Sequence, residues 1–187
     1  LKKTQQHSGF TLIELIITIS LIAILTALSA PSLSRLISTT ERRSDVNDLI
    51  SIINLARNTA IFEQTTVTLC PIDSDKRCTR DWSLPIFVFR DPERLAKINN
   101  DAQIIRVRQP QSKGTLKGAT GIHSYFRFNP SGFAWGAIGN ITWCPQNGDP
   151  TLASQVRINM GGRPKLAKDR DNDGIVEDSR GNPVICH

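Results

Sequence analysis

Positions 2–8 are polar, between Leu1 and Gly9, and the chain then turns abruptly apolar at Phe10-Thr11-Leu12-Ile13-Glu14-Leu15. From Leu15 to Ser34 no charged residue occurs, a stretch of about the twenty residues that a helix needs to cross the hydrocarbon core of a bilayer. A single membrane span is therefore expected over about 12–34. Beyond Pro31 the apolar positions keep helical spacing through Leu33, Leu36 and Ile37, and again through Val46, Leu49, Ile50, Ile53, Ala56 and Ala60. The opposite face carries Glu41, Arg42, Arg43, Asp45, Asp48 and Arg57. This pattern predicts one helix over 10–62, membrane-embedded first and then laid by its apolar stripe against a sheet.

After Glu63 the period changes to two, with β-rich runs at Val67-Thr68-Leu69, Ile86-Phe87-Val88-Phe89, Ile104 to Arg108, Ile122 to Phe128, Ile141-Thr142-Trp143 and Val156-Arg157-Ile158. Asp91-Pro92, Asn129-Pro130-Ser131-Gly132, Gln146-Asn147-Gly148-Asp149 and Gly161-Gly162 supply the turns between them. The expected architecture is α+β, a long N-terminal helix followed by an antiparallel β-rich head over 63–187.

The leading segment carries Lys2, Lys3 and His7, and its junction with the apolar stretch, at Gly9, comes before that stretch rather than after it. A secretory signal has the reverse order, so cleavage at Gly9 would keep the apolar helix. The two lysines place this end in the cytoplasm and everything after Pro31 in the periplasm. Gly9-Phe10-Thr11-Leu12-Ile13-Glu14 resembles the prepilin peptidase site of type IV pilins and type II secretion pseudopilins. The resemblance implies a leader at 1–9 that prepilin peptidase removes, N-methylation of Phe10, and an assembly role for Glu14, which would neutralise the amino terminus of a neighbouring subunit. Pro31 matches the proline that loosens pilin stems.

In the head, Thr68-Leu69-Cys70-Pro71, Cys78, Trp82, Phe126 to Gly132, Trp143-Cys144-Pro145 and Val156 to Arg163 resemble the GspH/FimT group of minor pilins and pseudopilins. That resemblance implies a subunit held in the inner membrane by one span, head in the periplasm, that joins other pilins or pseudopilins through its helix. A type IV pilus and a type II secretion pseudopilus both remain open.

Composition adds three candidates. The four cysteines, Cys70, Cys78, Cys144 and Cys186, lack the spacing of a zinc site and suit disulfides in an oxidising compartment. Three connectivities are possible; pairing Cys70 with Cys78 locally leaves Cys144 for Cys186, the arrangement preferred here. The formal net charge is +6, and no acidic residue interrupts Ala102 to Gly148, where Arg106, Arg108, Lys113, Lys117 and Arg127 occur. Strand alternation around Ile105, Val107, Phe126 and Phe128 places Arg106, Arg108 and Arg127 on a solvent face, able to contact phosphate without reading bases. A second basic element combines Arg157 with Gly162-Arg163-Pro164-Lys165 and Lys168. The resemblance to FimT proteins of competent bacteria implies that a Gly-Arg-x-Arg element here binds double-stranded DNA during uptake; Lys165 stands where its second arginine would, keeping the charge without the planar fork.

The third candidate is Asp169-Arg170-Asp171-Asn172-Asp173-Gly174, with carboxylates at alternate positions and a glycine sixth, as in calcium loops. The twelfth position is Arg180, so Glu177 or Asp178 would have to close the ligand set. Calcium is the one cofactor the residues suggest. Catalysis finds no constellation: His7 lies in the leader, His187 is terminal, and His123 has no nucleophile or metal motif beside it.

Overall fold

In a computed structural model of the chain, residues 10–110, 114–136 and 138–186 are described, without the side chains at 28–32 and 34. The expected leader with Gly9, Lys113, and the side chain of Pro31 lie outside them. One helix, α1 (Leu12–Phe62), precedes β1 (Val67–Pro71), β2 (Ile86–Arg90), β3 (Ile104–Arg108), β4 (Gly114–Ala119), β5 (Phe126–Phe128), β6 (Gly139–Pro145), β7 (Ser154–Ile158) and β8 (Pro164–Leu166). The strands form two four-stranded sheets, β3-β2-β1-β5 and β4-β6-β7-β8, antiparallel throughout. The chain divides into two compact units, Leu1–Ser38 and Thr39–His187.

In the first unit the helix begins with a reciprocal cap. Thr11 Oγ1 accepts the Glu14 N–H at 3.3 Å, while the Glu14 carboxylate accepts both the N–H and the hydroxyl of Thr11, satisfying donors that a helix start otherwise leaves open. Every described side chain from Phe10 to residue 27 is exposed. The hydroxyls of Thr18, Ser20 and Thr26 donate to the carbonyls of Leu15, Ile16 and Ile22, so these polar groups are paired within the helix itself. Among the described residues no helix is long and apolar enough to cross a membrane; the undescribed side chains at 28–32 and 34 fall inside the apolar stretch.

In the second unit the stripe of α1, Val46, Leu49, Ile52, Ile53, Ala56 and Ala60, is buried against inward residues of both sheets: Val67, Leu69, Ile86, Val88, Phe126 and Phe128 from the first, Ile141, Trp143, Val156 and Ile158 from the second. Burial of each large aliphatic or aromatic side chain contributes roughly 1.5–3 kcal/mol, so this half of α1 belongs to the head's core. The outward face of the first sheet has its own small core, Cys70, Ile72, Phe89 and Ile98. There Asp91 accepts from Thr68 Oγ1 at 2.8 Å, Arg127 Nη2 at 2.9 Å and the N–H groups of Leu95 and Ala96, which ties the 91–96 loop down. The disulfides are Cys70–Cys78 and Cys144–Cys186.

Two strands, β4 and β8, have no counterpart among the β-rich runs of the sequence. β4, Gly-Thr-Leu-Lys-Gly-Ala, lacks aromatic residues and is short of branched ones because indoles lie over its glycines. A Cβ at Gly114 would sit 2.4 Å from the Trp143 ring and one at Gly118 2.1 Å from that of Trp82.

Three charged residues also depart from the expected surface. Asp45 is buried and accepts the Trp143 indole N–H at 2.7 Å and Arg108 Nη2 at 3.1 Å, while Arg108 Nε donates to Asp48 at 2.8 Å. Arg108 is thus not on a solvent face; it is 5% exposed. The cause is a register shift against β2 that leaves Ile105 unpaired, so that Arg106 and Arg108 sit opposite Val88 and Ile86, on the side facing α1. Arg57, expected on the polar face, is half-buried.

Removing Arg108 would leave Asp45 with one donor, Trp143, among the described residues. Arg108→Ala is expected to lower the unfolding free energy by about 3–5 kcal/mol, measured by urea denaturation of the purified chain. A loss below about 1 kcal/mol would assign the pair to the surface class.

Candidate functional site

The second basic element is built on the β7–β8 hairpin. Arg157 on β7 stands opposite Lys165 on β8, and Asn140 on β6 is Arg157's other neighbour. Since Val156 and Ile158 point into the core, Arg157 and Lys165 share the outward face of the second sheet. Lys117 on β4, opposite Thr142, has the same parity. Lys165 lies on β8, the edge strand, and is exposed, as are Arg163 and Lys168.

The turn between these strands has an exacting geometry. Gly162 has φ of +70°, and a Cβ there would meet the Gly132 carbonyl oxygen at 2.2 Å, so only glycine fits. Arg57 Nε reaches up from α1 to the carbonyls of Gly132 at 3.1 Å and Gly161 at 3.3 Å, clamping two loops together. Ala134 N–H donates to the Met160 carbonyl at 2.9 Å, and Asn159 Oδ1 accepts the Arg163 N–H at 3.3 Å. The glycine of the Gly-Arg element therefore serves packing, and its consequence is to fix Arg163 at an exposed turn. Arg57 could not be read from sequence as a clamp, because its acceptors are carbonyls distant along the chain.

Other basic residues part company with this group. Arg106 is exposed but lies with Ser44, Asp45 and Asp48 beside α1, where the carboxylates reduce its appeal to an anion. Arg108 is committed to Asp45 and Asp48. Arg127 does face outward, yet it pairs with Asp91 at 2.9 Å and stands over the Tyr125 ring at 4.2 Å. The structure thus gathers Arg157, Arg163, Lys165 and Lys168 on or beside one hairpin and leaves Arg106 and Arg108 apart.

The acidic loop is brought together as four carboxylates. One oxygen each of Asp169, Asp171, Asp173 and Glu177 lies within 4.8 Å of the others. Asp169 accepts the N–H groups of Asn172 and Gly174, Asp173 that of Ile175, and the buried Glu177 that of Arg170. A bridge between Glu177 and Pro183 fixes the last of them. Asp178, the other candidate for closing the loop, instead accepts from Asn182 and Arg180 N–H groups; these bonds hold its carboxyl below the usual aspartate range.

A family model, type II transport protein GspH, matches residues 45–162, and the prokaryotic N-terminal methylation motif matches residues 4–30. The chain belongs to the GspH family. Its fold is the type IV pilin-like α+β fold, as in the crystal structure of the type IV minor pilin FimU of Pseudomonas aeruginosa, with TM-score 0.53 and 18% identity over 79% of this chain and 96% of that one. The minor pseudopilin EpsH of the Vibrio cholerae type 2 secretion system superposes with TM-score 0.48 and 16% identity over 67% of this chain and 95% of that one. No curated protein matches the chain. The GspH model covers α1 from Asp45 through the Gly162 turn and stops before Arg163, Lys165 and the acidic loop.

Proposed function

We propose that this GspH-family chain is a minor pilin of a type IV pilus, cut after Gly9, methylated on Phe10, held in the inner membrane by a span over about 12–34 with its head in the periplasm, and then packed by that helix among other pilins. The observation that carries this reading is the methylation motif joined to a helix whose apolar side chains from Leu12 to Leu25 are exposed, with no cover among the described residues. Lipid before assembly, and neighbouring stems after it, would supply that cover. The role is structural rather than enzymatic. The family description, type II transport, favours as second reading a pseudopilin built on the same stem.

Within this reading, Arg163, Lys165, Lys168 and Arg157 bind the phosphates of DNA. Their support is the exposure of Arg163, Lys165 and Lys168, the half-buried Arg157 on the same sheet face as Lys165, and no ion pair for any of the four among the described residues. Such contacts position a polyanion without reading its sequence. The carboxylates of Asp169, Asp171, Asp173 and Glu177 are hard oxygen donors of the kind calcium takes; bound there, the ion would relieve their mutual repulsion and brace the tail that Cys186 anchors to Cys144.

Glu14 has two candidate roles, assembly and helix capping, and substitutions separate them. Glu14→Ala is expected to be processed yet absent from sheared filaments on immunoblot, whereas Thr11→Ala, which removes the cap and keeps the carboxylate, still enters them. Normal incorporation of Glu14→Ala would leave capping as its whole role. For DNA, R163E/K165E in the full chain, kept in nonionic detergent, is expected to reduce the slope of log affinity against log salt by about two. An unchanged slope rules out the hairpin. Chelation is expected to lower the melting temperature by about 3 °C or more, an effect that Asp171→Asn with Asp173→Asn abolishes; an indifferent melt assigns the loop to a solvated turn.

A further inference from the structure

The 129–136 loop that packs under Gly162 also forms one wall of a cleft of about 360 Å³, lined by Thr66, Arg94, Arg127, Asn129, Pro130 and Trp135. The volume falls within the roughly 300–1,000 Å³ of small-molecule sites. Trp135 is 78% exposed, whereas Trp82 and Trp143 are 5% and 2% exposed in the core. The Trp135 indole is thus the one of the three left open to contact from outside the chain. The loop that carries it is not slack: Asn129 Oδ1 accepts the Phe133 N–H at 2.9 Å, Asn129 N–H donates to the Phe133 carbonyl at 3.0 Å, and Ala134 is tied to Met160.

The two arginines of the cleft differ. Arg127 has its charge answered by Asp91 and its plane laid over Tyr125, so it forms a fixed wall. Arg94 is exposed, and its guanidinium has no ion pair or hydrogen bond among the described residues. Its backbone is set by the same network, since the Arg94 carbonyl accepts Arg127 Nη2 at 2.9 Å. A flat aromatic face beside an unpaired guanidinium is the pairing that proteins use for one nucleotide of a single strand, the base stacking on the ring and the phosphate meeting the cation. A duplex keeps its bases stacked on one another, and offers no face to an indole without unstacking.

We infer that the ligand is single-stranded nucleic acid, one of whose bases stacks on Trp135 in the cleft while Arg94 holds its phosphate and the backbone runs on to Arg163. The path is short because the cleft and the Gly162 turn share one loop, Gly132 touching the turn and Trp135 the cleft. This inference rests on the nucleic-acid reading of Arg163 and Lys165, and names the form of the ligand.

Trp135 reports on its own occupancy, since it is the exposed indole among three. The full chain in nonionic detergent is titrated with a thymidine oligonucleotide of about twelve residues, spanning a site size of about 4–16 nucleotides, and with a duplex of equal length, following tryptophan emission and anisotropy of the labelled nucleic acid. The single strand is expected to quench emission and to bind more tightly than the duplex. W135A loses roughly tenfold in affinity for the single strand, W135F retains most of it, and R94E loses a similar factor. Equal binding of duplex and single strand without quenching, or full affinity in W135A, overturns the stacking site. If R163E/K165E still weakens duplex binding in that event, the hairpin reading stands alone; binding of neither nucleic acid brings down both.

Discussion

A single buried carboxylate holds the head's three layers in register. Asp45 projects from α1 and takes one hydrogen bond from Arg108 at the end of β3 and another from the indole of Trp143 in β6. Those strands belong to different sheets. Apolar burial is non-directional and fixes the layers only through the fit of side chains. A charge with two directed donors fixes them by direction as well, and the loss of either leaves an ion in a place where water cannot repay it. Gly114 of β4 answers to the same constraint, since the strand must leave room there for the Trp143 indole that reaches Asp45.

Much of the architecture was legible because apolar periodicity reports burial directly. Val46, Leu49, Ile53, Ala56 and Ala60 were placed on the core side of α1 by spacing alone, and they are there. What failed was the polar part of the same helix. Asp45 and Arg57 look like surface residues in a one-dimensional pattern, and their partners, Trp143, Arg108 and two loop carbonyls, lie far along the chain. Arg108 was misplaced for a related reason: strict alternation holds only while strand pairing is regular, and one unpaired residue at Ile105 reverses the face of the residues beyond it.

Among the site residues, the Gly-Arg element and the acidic loop were visible as local sequence, whereas their surroundings were not. Position 162 reads as a turn glycine, but the reason no other residue fits is the Gly132 carbonyl pressed against it. Trp135 carries a weaker signal: it lies outside every β-rich run, between the Asn129 to Gly132 turn and Ile141, where no strand alternation buries it. Glu14 shows how one motif can hold two meanings, since Thr11 and Glu14 also satisfy the spacing of a capping box.

The Cys144–Cys186 bridge bears on how the head would respond to a pull. It closes a covalent ring of sequence separation 42, and β7, β8 and the acidic loop all lie inside that ring. β8 is an edge strand, held by one neighbour only, and without a cross-link it is the element that unzips first under tension. Here a load applied at Arg163 or Lys165 is carried around the ring to β6, in the interior of the sheet, and the hairpin can extend no further than the ring allows. When the noncovalent pairing of β7 and β8 gives way, the ring still limits how far Arg163 and Lys165 can be drawn from β6.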